Sequence, residues 1–263
     1  MAEAFVPYCG AAPVPGAESW NLDPALLTGL AIGLVGGVSL IGWSKGRHHD
    51  LIFFAVGWAT LALAFVSPLC NISVALFSAR ALQHMILTLV AAPLLVRGLF
   101  GSFRGRRSVG GLFAMSSTMA FTFCFWFWHS PLPYDATLEN NAVYWAMHVT
   151  MLGSALALWV AVFRSRGLIA FSIVSATGLQ MSMFAALITF ASAPLYEVHA
   201  LTTAAWGLTW MQDQQLGGVL IWVPAGLLLV LYSATALAFS LRESDEPEEF
   251  AFPALTGAAE SRS

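Results

Sequence analysis

Residues 142–163 read AVYWAMHVTMLGSALALWVAVF, a run that contains no Asp, Glu, Lys or Arg. At 1.5 Å of rise per residue such a run makes a helix about 33 Å long, enough to cross the roughly 30 Å hydrocarbon core of a bilayer. In lipid only a helix or a closed barrel satisfies every backbone N–H and C=O, so the stretch reads as a transmembrane helix. Six further apolar stretches flank it, at 24–43, 51–67, 76–99, 111–129, 168–190 and 214–240. The fold expected is therefore all-α, a polytopic membrane bundle of about seven helices. One transmembrane domain, 24–241, follows an external segment at 1–23 and precedes an acidic tail at 242–263. Met1 to Trp20 lack a basic stretch followed by an apolar core, so they do not read as a cleaved signal peptide.

Composition supports the same solvent. With 58% hydrophobic and 10% charged residues, the 263-residue chain is too apolar for a water-soluble surface. Lysine and arginine accumulate in short cytoplasmic loops. Here Lys45 and Arg47, then Arg97, Arg104, Arg106 and Arg107, then Arg164 and Arg166, then Arg242 and Arg262 fall on one side. The alternate connections hold none, and Arg80 is the single basic residue toward the other face. This places the N-terminus outside and the C-terminus in the cytoplasm. The net charge of −3, drawn partly from Glu243 to Glu249, gives no reason to expect a nucleic-acid partner.

Orientation sorts the polar residues. His84, His129, His148 and His199 fall at or near the outer ends of spans, with Asp135, Glu139, Glu197, Asp213, Cys9 and Cys70, while the middle of each span lacks charge. No proton or ion relay crosses the midplane, which speaks against a pump or transporter. Residues four apart share a helix face, so Arg80 joins His84, and Tyr144 joins His148 and Met151. If the two spans pack together, all four side chains line one outer pocket, and the buried Arg80 must find an acceptor such as Tyr144, Asp213 or a backbone carbonyl. Lone histidines at such depth are equally explained by a bond to a neighbouring helix. Met85, Met115, Met119, Met147, Met151, Met181 and Met183 supply soft thioethers that suit Cu(I), although methionine is also a ready filler of helix interfaces. Cys9, Cys70 and Cys124 form no metal-binding pair, and Cys9 with Cys70 could close an external disulfide. Thr209 and Gln212 read as a capping box that puts Asp213 in the first turn of the last span, where the helix dipole favours a carboxylate. Pro93 and Pro224 should kink their spans, and Gly217 with Gly218 permits close backbone approach. The single lysine, Lys45, lies outside every span, which removes a retinal Schiff base from consideration.

Four passages together resemble the CtaG family of assembly factors for caa3-type cytochrome c oxidase. They are Phe77-Ser78-Ala79 through Gln83-His84-Met85 to Pro93-Leu94-Leu95; Trp128-His129-Ser130-Pro131 with Tyr134-Asp135-Ala136; Pro194-Leu195-Tyr196; and Trp206-Gly207-Leu208 through Asp213-Gln214-Gln215-Leu216-Gly217-Gly218 to Trp222-Val223-Pro224. The resemblance implies a seven-helix protein of the bacterial inner membrane that serves maturation of a haem-copper oxidase, with oxidase subunits as partners and copper handled on the outer face, and no catalysed reaction. It carries over His84, His129 and His148 as metal-site positions, with Asp135, Asp213, Gln214 and Gln215. Two positions depart: the family pattern places a further histidine one turn before His84 and another before His148, where this chain has Arg80 and Tyr144. His199 completes the set of polar residues expected on the outer side. The alternative reading is a haem- or quinone-binding redox protein with His84 and His148 as axial ligands.

Overall fold

The computed structural model describes residues 5–44, 47–101, 109–165 and 167–245. Lys45, Arg104, Arg106, Arg107, Arg166 and Arg262, on which part of the expected orientation rests, lie outside these residues, as does the tail beyond Asp245. The chain runs through α1 (Pro24–Trp43), α2 (His48–Val66), a short α3 (Pro68–Ala75) and α4 (Phe77–Met85). A π-helical segment at Ile86–Ala91 joins α4 to α5 (Ala92–Gly101). Then come α6 (Gly111–His129), a short α7 (Pro131–Glu139), α8 (Asn141–Arg164), α9 (Gly167–Thr189) and α10 (Trp210–Leu220). A second π segment, Ile221–Ala225, leads into α11 (Gly226–Asp245), and no strand occurs among the described residues.

Among the described residues six helices are long and apolar enough to cross a membrane, Phe77–Gly101 counting as one through its π segment. The run from Trp210 to Asp245 takes the place of the seventh expected span. Three boundaries differ most from expectation, one of them the start of the last span at Trp210, four residues early. The second span starts at His48, three residues early, and the last one continues through Arg242 to Asp245, so the polar tail expected from 242 is still helical there. Leu241-Arg242-Glu243 contains no helix breaker, and the helix propagates.

The prolines act through their neighbours. Pro93 has no N–H, and ahead of it Ala92 N–H bonds Leu87 O rather than the carbonyl of Thr88. The Thr88 carbonyl so released accepts the indole N–H of Trp159 at 2.8 Å, which ties the irregular turn to α8. Pro224 lies within the second π segment. Ser67-Pro68 and Ser130-Pro131 each put proline in the first turn of a short helix, α3 and α7, in connections read from the sequence as loops.

These two helices and residues 5–23 close one end of the bundle, the end expected from the sequence to face outside and called here the capped end. Asn71 pins the N-terminal segment: its Nδ2 donates to the carbonyls of Cys9 (2.8 Å) and Ala11 (2.9 Å), and its Oδ1 accepts from Ser19 N–H. Trp206 Nε1 donates to Pro13 O at 3.1 Å, and Cys9 and Cys70 are joined in a disulfide. At the opposite end Arg97 pairs with Asp50 at 3.0 Å.

Glycine sets a close crossing at the start of the last span. A Cβ on Gly217 would lie 2.4 Å from the Phe77 ring, and one on Gly218 would lie 2.1 Å from Thr189 Oγ1, so α10 rests directly on α4 and α9 as the Gly-Gly pair suggests. That crossing brings Asp213 to the start of α4. Its carboxylate accepts Phe77 N–H at 2.7 Å, Ser78 N–H at 3.1 Å and the Ser78 hydroxyl at 2.5 Å. The capping box Thr209–Gln212 forms as expected, but Asp213 serves the N-terminus of a different helix from its own.

Candidate functional site

Eight of the nine residues of α4 are buried, and its two polar faces open onto the interior of the capped end. Arg80 stands one turn above His84. Opposite, on α8, Tyr144 stands one turn above His148, and the rings of these two lie 4.3 Å apart. α4 and α8 do face one another: the His84 and His148 ring centres are 5.3 Å apart. His129, the last residue of α6, closes the third side with its ring centre 5.2 Å from that of His84. All three imidazoles are buried, and Phe65, Phe125 and Phe184 pack edge-on or tilted against the His148 and His129 rings.

Hydrogen bonds fix which nitrogens carry protons. His129 Nδ1–H donates to Phe125 O at 2.7 Å and His148 Nδ1–H to Tyr144 O at 3.0 Å, so each Nε2 keeps a bare lone pair. His129 Nε2 is then the acceptor for His84 Nδ1–H at 3.3 Å. This chain leaves His84 Nε2 and His148 Nε2 as two buried lone pairs without a hydrogen-bond partner. Among the described residues no group of three or more His, Cys, Asp or Glu is arranged to hold a metal ion. The two unpartnered imidazole nitrogens of the cluster thus belong to His84 and His148, and His129 orients His84 from behind.

Arg80 takes an acceptor outside the expected set. Its Nη1 donates to Thr137 Oγ1 at 2.5 Å, and its guanidinium lies 5.2 Å from the centre of the Tyr134 ring and 6.0 Å from that of Tyr144. Above this layer the Tyr144 hydroxyl touches both sulfurs of the disulfide, at 3.3 Å from Cys9 Sγ and 3.7 Å from Cys70 Sγ. His199 lies beside Tyr134, with its Nε2 at 2.8 Å from the Tyr134 hydroxyl, and Tyr196 donates to His129 O at 2.7 Å. Burial, reinforced by the nearby Arg80 charge, pushes His199 down to about 3, and burial raises the phenols of Tyr134 and Tyr196.

The remaining expected residues do not join the imidazoles. Asp135 sits half-buried on α7, where burial and then the charges of Glu139 and Glu197 raise it to about 6. Gln214 braces the chain, accepting Leu195 N–H at 2.6 Å and donating to Ile188 O at 3.0 Å, while Gln215 is half-buried beside it on α10. Met85, Met147, Met151 and Met181 are buried, whereas Met115, Met119 and Met183 are exposed on the outside of the bundle. Thr137, Tyr134 and Tyr196 complete the pocket and were not singled out from the sequence, although Tyr134 and Tyr196 fall within the quoted motifs.

A family model described as cytochrome c oxidase caa3 assembly factor matches residues 38–243, which take in every residue of the histidine cluster together with Arg80, Tyr144 and Asp213. No curated protein and no solved structure matches the chain. The match extends over most of the chain and agrees with the multi-span fold, and the chain belongs to the family of caa3-type cytochrome c oxidase assembly factors.

Proposed function

We propose that the protein is a non-enzymatic maturation factor that hands copper to a caa3-type oxidase on the outer side of the bacterial cytoplasmic membrane, with His84 and His148 as the transfer site. The observation that carries this reading is the pair of bare, buried Nε2 lone pairs on facing helices. Two neutral imidazoles are donors for Cu(I), and a two-donor stop holds its cargo weakly enough to release it to a richer site in an oxidase subunit. His129 fixes the tautomer of His84, and the Phe65, Phe125 and Phe184 rings keep water from the pair. Arg80, one turn away, opposes a cation and further weakens retention. The partners on this reading are oxidase subunits and the surrounding lipid.

Two axial imidazoles around a haem need a slot between them for the porphyrin. His84 and His148 are in near ring contact, with Tyr144 and His129 packed against them, so the arrangement favours an ion over a macrocycle. A reduced-minus-oxidised absorption spectrum of the purified protein checks this, and a haem signal would overturn the copper reading.

The direct test is a deletion strain complemented with the native gene, His84→Ala or His148→Ala. Deletion should lower oxidase activity and oxidase copper with transcripts intact, and neither variant should restore them despite normal protein levels. Full restoration by His148→Ala removes the transfer site, and undiminished oxidase in the deletion strain, with no paralogue to compensate, removes the maturation role.

A further inference from the structure

Arg80 is the one arginine or lysine buried among the described residues, with 1% of its surface exposed. Its charge is permanent, yet no carboxylate touches it. The oxygens of Asp213 are taken by Phe77 and Ser78, and Asp135 acts on it only through space. Thr137 uses Nη1. The Nε–H and Nη2–H groups are buried with no acceptor. These two donors lie on one edge of the guanidinium plane, parallel and a carboxylate's width apart, which is the edge that grips a planar anion with two hydrogen bonds. Tyr134 and Tyr144 stack against the group and exclude water, so an anion there meets an unscreened charge. An isolated cation in this position is costly, and a bound anion offsets it.

We propose that the Nε/Nη2 edge of Arg80 is a binding site for one small carboxylate anion at the capped end, above the histidine pair. The site is independent of the copper reading, because it needs no metal, and its failure leaves His84 and His148 untouched. Bound there, the anion would cancel the charge that stands one helical turn from His84.

The probe is formate, titrated into metal-free, full-length protein in detergent at constant ionic strength, with binding followed by calorimetry and by thermal stability. Saturable 1:1 binding is expected. Arg80→Gln should weaken it by at least about tenfold, and Asp135→Asn, which removes a nearby competing negative charge, should tighten it by about threefold. Absence of saturable binding to the folded native protein, or equal affinity in Arg80→Gln, overturns the site. Should Arg80→Gln fail to fold, Asp135→Asn decides alone, since unchanged or weaker binding in that variant is incompatible with an anion held by Arg80.

Discussion

The first span and the third invert the ordering familiar from soluble proteins. Pro24–Trp43 has the higher mean hydropathy, 2.0 against 1.6 for Phe77–Gly101, yet 17% of its most apolar window is buried against 61%. The reason is the solvent. Lipid is as apolar as leucine, so an apolar helix gains nothing by moving inward, whereas a helix bearing Arg80, Gln83, His84 and Thr88 must face other helices to find partners. Between these two spans it is the polar one that is drawn inside, and it carries the site.

The largest test of this contrast lies at the start of the third span. Asp213→Ala strips the acceptor from two buried N–H groups and a hydroxyl at the N-terminus of α4, each left unsatisfied away from water. The expected loss is about 3–5 kcal/mol in unfolding stability. Asp213→Asn, which keeps one oxygen, should lose about half as much. A loss below about 1 kcal/mol for Asp213→Ala, measured by detergent or denaturant titration, would mean that water reaches this helix end and that the third span is less enclosed than its contacts indicate.

What was legible in the sequence follows from the same contrast. Span positions came from apolar length, and the pairings Arg80–His84 and Tyr144–His148 came from the four-residue period of one helix, so the facing pocket of α4 and α8 could be anticipated. Contacts between distant segments leave no such period. Asp213 with Phe77 lies 136 residues away, Arg80 with Thr137 57, and Asn71 with Cys9 62, and these decide the cap of α4, the acceptor of the guanidinium and the seating of residues 5–23. The Cys9–Cys70 pairing could be suggested because both cysteines were assigned to one side of the membrane. The short helices α3 and α7 had a local signal in Ser67-Pro68 and Ser130-Pro131, which was outweighed by their lack of apolar length.

A second test concerns the polar layer above α4. His199 is held neutral, at about 3 rather than its ordinary 6.5, so the unfolded chain binds a proton that the folded chain refuses. Its contribution to stability is present above pH 6.5 and is lost as the pH falls below that value, at about 1.4 kcal/mol per unit, or about 2 kcal/mol by pH 5. Asp135 works the other way. Raised to about 6, it keeps its proton better when folded and adds stability as the pH falls from about 6 towards 3.8, by less because its shift is smaller and its side chain only half-buried. Thermal unfolding from pH 7 to pH 5 should show a net loss, made smaller in His199→Gln and larger in Asp135→Asn. An identical pH profile in His199→Gln would show that His199 accepts a proton in the folded state.

The smallest effect is expected in the first span, and its size decides what lies against α1. Val35 is 66% exposed, on a helix whose buried residues are Leu26, Gly37 and Ile41. In lipid, replacing its side chain by a methyl group removes no contact that hydrocarbon does not supply equally, and it opens no cavity because acyl chains fill the space. Val35→Ala should therefore change stability by less than about 0.5 kcal/mol, against the several kcal/mol expected at Asp213. The comparison is sharpened by Trp159→Phe, which leaves the Thr88 carbonyl unpaired beside the π segment and should cost about 1–2 kcal/mol. Were Val35→Ala to cost more than Trp159→Phe, the outer face of α1 would have to be packed against protein, and the first span would be an interior helix of an assembly larger than the single chain.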